Sequence, residues 1–161
     1  MSLSIRRARP DQSRLIFSLL CELAEYEKLS HEVEATETGI ADALFGNDPI
    51  LFCEIAEWNR EPAGFALWFF NFPTFAGRRG IYLEDLFVRP AFRGKGIGKA
   101  LLAHLAGLCV ENGWSRLQWT VLDWNTPSIN FYTSLGAEMM DEWKLCKVTG
   151  AALSELAKAK P

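Results

Sequence analysis

A chain of 161 residues fits one domain burying about two thirds of its unfolded surface, so a single core over 1–161 is expected. The net charge is −3, and basic residues are dispersed except at Arg93, Lys95 and Lys99, which argues against a nucleic-acid partner and suits a cationic small molecule. The cysteines Cys21, Cys53, Cys109 and Cys146 stand far apart with no C-x-x-C pair, so they read as buried thiols in a reducing compartment, and no metal site is expected. Neither a signal peptide nor a membrane-length apolar run is visible, which predicts a soluble, cytoplasmic protein without a membrane partner.

Residues 4–8 read as a short strand, punctuated by Pro10-Asp11. Leu15, Ile16, Leu19, Leu20 and Leu23 then recur at helical spacing, predicting a helix to about Lys28. Its stripe continues onto Glu27, which is either an end-of-helix acid reaching water or a functional carboxylate. Thr36 or Thr38 can cap a second helix near 40–45. Residues 50–56 and 63–70 form a predicted hairpin turning at Asn59-Arg60-Glu61-Pro62, and the aromatic loop 72–77 leads into a central strand over 81–88. Ile97, Leu101, Leu105 and Leu108 mark a helix ending at Asn112-Gly113. A strand over 116–122, a helix opened by Asn125-Thr126-Pro127, a last strand over 143–148 and a tail helix over 151–160 complete the chain. Hairpin strands mixed with β-helix-β crossovers predict an α/β class with a mixed sheet flanked by helices.

The most informative stretch is 81–102, an apolar strand carrying Glu84 and Asp85, then Arg93-Gly94-Lys95-Gly96-Ile97-Gly98-Lys99 opening a helix. Unpaired N–H groups and the positive helix end converge there, and glycines let an anion approach the backbone. A P-loop would need Ser or Thr after Gly98-Lys99 where Ala100 stands, and the glycine spacing is not that of a dinucleotide fingerprint. A ligand-free turn would leave three glycines and three basic residues in seven positions unexplained. The turn therefore reads as a pyrophosphate cradle.

Arg93-x-x-Gly96-x-Gly98 after an apolar strand resembles the acetyl-CoA signature of the GNAT-type N-acetyltransferases. Together with Glu22-Leu23-Ala24-Glu25-Tyr26-Glu27, Tyr82-Leu83-Glu84-Asp85, Asp123-Trp124-Asn125 and Asn130-Phe131-Tyr132, it resembles the diamine acetyltransferases over essentially the whole chain. That subfamily contains spermidine/spermine and thialysine-type enzymes, and Leu122-Asp123-Trp124-Asn125 and Glu27-Lys28-Leu29-Ser30 are nearer the thialysine type. The resemblance implies a GNAT fold with a mostly antiparallel sheet, acetyl-CoA as co-substrate, a small-molecule amine as acceptor and a homodimer. It implies acetyl-CoA contacts from Leu86, Phe87, Val88, Arg93, Gly94, Lys95, Gly96, Ile97, Gly98, Lys99, Asn125, Ser128 and Tyr132. It further implies Tyr132 as the acid for the departing thiolate, where the residues alone would favour a core tyrosine.

An amine with a pKa near 10 is a free nucleophile in only about one molecule per thousand at neutral pH, so a base is needed. Glu84 is the first candidate, because desolvation within the apolar run would raise its pKa; Asp85 is the alternative or a second amine-binding carboxylate, since strand alternation sends the two to opposite faces. A pair of solvated residues at a bulge or edge is the plain reading of both. Tyr26, Glu27 and Trp124 complete the expected amine pocket through charge and cation–π attraction. Pro73-Thr74-Phe75 replaces the acidic residue and tryptophan of the polyamine enzymes, favouring a shorter amine with one distal charge. Acetylation of protein lysines or N-termini, and a silent acyl-CoA-binding module, are the competing readings.

Overall fold

The computed structural model describes residues 1–159 and 161. They form two compact units, Met1–Thr120 and Val121–Pro161. No described helix is long and apolar enough to cross a membrane.

The first unit runs β1 (Leu3–Arg7), α1 (Ser13–Tyr26), α2 (Glu37–Phe45), β2 (Phe52–Trp58), β3 (Glu61–Asn71), β4 (Gly80–Val88), α3 (Ile97–Asn112) and β5 (Leu117–Gln118). The sheet order follows the chain, with antiparallel pairs up to β4 and a parallel β4–β5 pair. This is the expected mixed, mostly antiparallel sheet. Thr36 caps α2 by accepting from the Gly39 N–H at 3.0 Å. Gly113 closes α3 in the left-handed region at φ 68°.

Opposite residues of an antiparallel pair point to the same face. Phe65, Leu67 and Phe87 therefore share a face, which packs Ile16, Leu19 and Leu23 of α1 and Leu44 of α2. The other face carries Trp68, Ile81 and Leu83 and lies under α3. There the carboxylate of Glu54, only 1% exposed, accepts from Arg7 Nε at 2.7 Å and Trp68 Nε1 at 3.3 Å. His104 Nε2 of α3 stands 3.2 Å from its second oxygen. One buried acid thereby joins β1, β2, β3 and α3.

In the second unit, α4 (Thr126–Ser134) starts at Asn125 with Pro127 in its first turn, and α5 (Gly150–Ala157) follows. The predicted strand 116–122 is reduced to Leu117–Gln118, and 143–148 is not a strand at all. An apolar or alternating sequence does not supply the neighbouring backbone a ladder needs, and Trp143 and Leu145 remain 74% and 86% exposed. The predicted tail helix reaches Lys160, which lies outside the described residues.

The β2–β3 hairpin turns at Asn59 and Arg60, both left-handed at φ 51° and φ 70°. This two-residue turn wants glycine in its second position, because a Cβ there meets the backbone. Arg60→Gly should raise stability by roughly 0.5–1 kcal/mol. Urea denaturation showing equal or lower stability would contradict this account of the turn.

Candidate active site

The ladder between β3 and β4 slips once. Leu67 opposes Asp85 and Trp68 opposes Leu83, so Glu84 has no opposite residue and forms a β-bulge. Tyr82, Asp85 and Phe87 consequently share the α1 face, while Leu83, Leu86 and Val88 share the α3 face. Glu84 itself is exposed and Asp85 half-buried.

The desolvation expected at Glu84 therefore falls on its neighbour. Burial, then repulsion from Glu84 and Glu27, pushes the Asp85 carboxyl up to about 7. Glu27, the half-buried C-cap residue of α1, is also raised by burial. Three carboxylates thus influence one another near the bulge, and none has an ion-pair partner among the described residues. Such a cluster is suited to an ammonium group.

β5 pairs with β4 only at Ile81 and Tyr82. From Leu83 to Val88 the edge of β4 turned away from β3 has no ladder partner among the described residues. Bulges bend a strand and increase its twist, which accounts for the divergence beginning where it does. An extended amide-bearing molecule can pair with this edge as an added strand. Leu86, Phe87 and Val88, the residues expected to do so, lie along it.

The edge leads into the glycine turn. Gly94 and Gly96 both adopt φ 78°, and no atom lies within 4 Å of where either Cβ would stand, so the cradle is open to an anion. Gly96 is the N-cap of α3, and the first helical bond runs from Ala100 N–H to Gly96 O at 3.0 Å. The N–H groups of Ile97, Gly98 and Lys99 have no intrahelical acceptor, as at any helix start. Gly98 belongs to the first helical turn and does not share the left-handed geometry. The site fits a pyrophosphate.

Within the second unit, the Oδ1 atom of Asn125 accepts from Ser128 N–H at 3.3 Å. The carboxamide oxygen is therefore committed to capping α4, leaving its NH2 group as the donor toward any ligand. Tyr132 lies on α4, half-buried, with its ring 5.5 Å from that of Phe131. Trp124 precedes the cap and is 53% exposed. In the first unit a cleft of about 630 Å³ is lined by Ala43, Phe52, Phe69 and Phe70 with Arg79, and none of the three carboxylates borders it. Chemistry and not volume locates the site.

Residues 15–137 match the model of the Acetyltransferase (GNAT) family. The chain belongs to the GNAT family and is an N-acetyltransferase. It is 37% identical to a thialysine N-epsilon-acetyltransferase of Bos taurus, over 95% of this chain and 96% of that protein. It is 34% identical to an L-ornithine N5-acetyltransferase of Arabidopsis thaliana, over 96% of this chain and 87% of that protein. An integron cassette protein from the mobile metagenome of V. cholerae superposes with a TM-score of 0.82, at 30% identity and 99% coverage of both chains.

Because Asp85 is raised in the folded state, the native GNAT domain holds a proton that the unfolded chain releases. Stability linked to this group is complete below about pH 4 and is lost as pH rises through about 7. Asp85→Asn should therefore leave stability near pH 4 unchanged and raise it at about pH 8 by on the order of 2 kcal/mol, after allowance for solvent screening. Urea titrations of both proteins across this range test it, and parallel pH dependences would show that Asp85 carries no such shift.

Proposed function

We propose that the protein transfers an acetyl group directly from acetyl-CoA to a primary amine of a small molecule, a diamine, a polyamine or a thialysine-like amino acid. The carrying observation is an open amide cradle at the start of α3 together with a carboxylate cluster, Glu84 and Asp85 of β4 with Glu27 of α1, that has no ion-pair partner among the described residues. Relatives named for thialysine and ornithine acetylation favour an amino acid with a distal amine, as does the loss of an acidic residue from the loop at Pro73-Thr74-Phe75.

The edge of β4 at Leu86, Phe87 and Val88 aligns the pantetheine amides, and the turn from Arg93 to Lys99 holds the pyrophosphate. Asn125 and Ser128 add contacts from α4. Glu27, Glu84 and Asp85 draw the acceptor ammonium in, with Trp124 as the aromatic candidate for its pocket. Ionised Asp85, poised near neutrality, takes the ammonium proton, and exposed Glu84 passes it to water; this divides between two residues the base role expected of Glu84 alone. The freed nitrogen attacks the thioester carbonyl carbon, the C–S bond breaks, and the Tyr132 hydroxyl protonates the departing thiolate. The surplus proton on the acylated nitrogen leaves by the same carboxylates, and a proton from water restores the Tyr132 hydroxyl.

An acyl-enzyme on Cys53 or Cys109 is disfavoured because burial pushes both thiols up, away from the reactive thiolate. The protein acts in the cytoplasm as a homodimer in this reading.

Purified protein offered thialysine, ornithine, lysine, putrescine, spermidine and spermine with acetyl-CoA should acetylate the distal-amine amino acids most efficiently. Acetylation of peptides alone would replace this reading by protein acetylation, and acetyl-CoA binding without turnover of any acceptor would identify a silent binding module. Tyr132→Phe should lower kcat about 100-fold or more with little change in KM, the range for losing a general acid. Wild-type turnover across the pH range would remove Tyr132 from that role.

A further inference from the structure

Two of the three basic side chains of the turn are seated on aromatic rings. The Arg93 guanidinium carbon lies 4.7 Å from the centroid of the Tyr26 ring and 5.7 Å from that of Phe87. Arg93 Nε donates to the Val88 carbonyl at 3.0 Å. The Lys95 ammonium stands 5.1 Å from the centroid of Trp58. Rings from α1, β4 and β2 thus hold the turn from two sides.

This arrangement competes with the role expected of Tyr26 as an aromatic wall for the acceptor ammonium. That role needs a ring whose negative face is available, and Tyr26 already presents a face to a fixed cation. A second cation drawn to it would meet like-charge repulsion. A guanidinium held over a ring still directs its N–H donors outward in its own plane. With Nε committed to Val88, the terminal NH2 groups are the donors for an anion.

The end of α1 explains why neighbouring residues can serve different ligands. Leu29 N–H bonds to Ala24 O at 2.8 Å and Lys28 N–H to Glu25 O at 3.1 Å, with Lys28 left-handed at φ 63°. This paired closure fixes the last turn. Tyr26 is thereby held at Arg93, while Glu27 is held where it repels Asp85.

We propose that Tyr26 is a positioning residue of the cofactor turn, setting the Arg93 guanidinium for the pyrophosphate, and that it does not contact the acceptor. This rests on reading the turn as the acetyl-CoA site. Calorimetric titration of coenzyme A into wild type, Tyr26→Leu, Tyr26→Phe, Arg93→Gln and Tyr26→Leu/Arg93→Gln tests it, with acceptor KM measured at saturating acetyl-CoA. Tyr26→Leu should weaken coenzyme A binding about three- to five-fold, and Tyr26→Phe should restore it. In the Arg93→Gln background Tyr26→Leu should add nothing, and acceptor KM should stay unchanged. A raised acceptor KM with coenzyme A affinity intact, or an undiminished effect without Arg93, overturns the proposal. If wild type binds no coenzyme A, the reading of the turn falls and this role with it. If wild type and Tyr26→Leu bind it equally, only the role of Tyr26 falls.

Discussion

The extra residue in β4 is the constraint on which the site depends. In an unbroken ladder Glu84 would oppose Leu67, and Asp85 would oppose Ala66 on the α3 face. Ala66 already pairs with Glu54, the fully buried acid of that face. Asp85 would then stand beside a second buried carboxylate in an apolar layer, at a desolvation and repulsion cost of several kcal/mol. The bulge gives the position opposite Ala66 to Leu86, turns Asp85 toward α1, and leaves Glu84 in solvent. It also marks where β4 and β5 part. A single insertion thus separates the acidic cluster from the core and frees the strand edge beside it.

Glu54 gives the opposite face its own fixed point. Its contacts to Arg7, Trp68 and His104 satisfy a buried charge from three elements, and removal of one partner from such a cluster typically costs about 3–5 kcal/mol. His104 lies on α3, whose first turn forms the proposed phosphate cradle. The cradle's amides are useful only if the helix start is held still, because preorganised donors need no rearrangement when charge arrives. If the turn binds the anion as proposed, a structural carboxylate far from the chemistry contributes to it by holding the helix in place.

Much of this was legible in local patterns. Helical spacing in Leu15 to Leu23 and Ile97 to Leu108, the cap at Thr36, the stop at Gly113 and the glycine turn each encode their structure within a few residues. The bulge was not legible, because β4 is apolar on both faces and its alternation does not reveal a slip. Sequence alternation alone assigns Glu84 a burial that belongs to Asp85. Residues 143–148 are apolar enough to read as a strand, yet a strand exists only beside a partner. The contact of Arg93 with Tyr26 joins residues distant in sequence, and composition offers no sign of it.

The electrostatics of β4 and α3 follow from these placements. At one end, the raised Asp85 and Glu27 record an acidic site whose charges are disfavoured until a cation neutralises them. At the other, glycine amides and the helix start favour an anion. Between them the free edge of β4 can pair only with an extended molecule. In the reaction proposed above, an ammonium entering the first site would lower the Asp85 pKa and thereby ionise the group suited to take its proton. On that proposal, binding and activation of the amine are one electrostatic event, because the same charge that relieves the raised carboxyls also ionises the base.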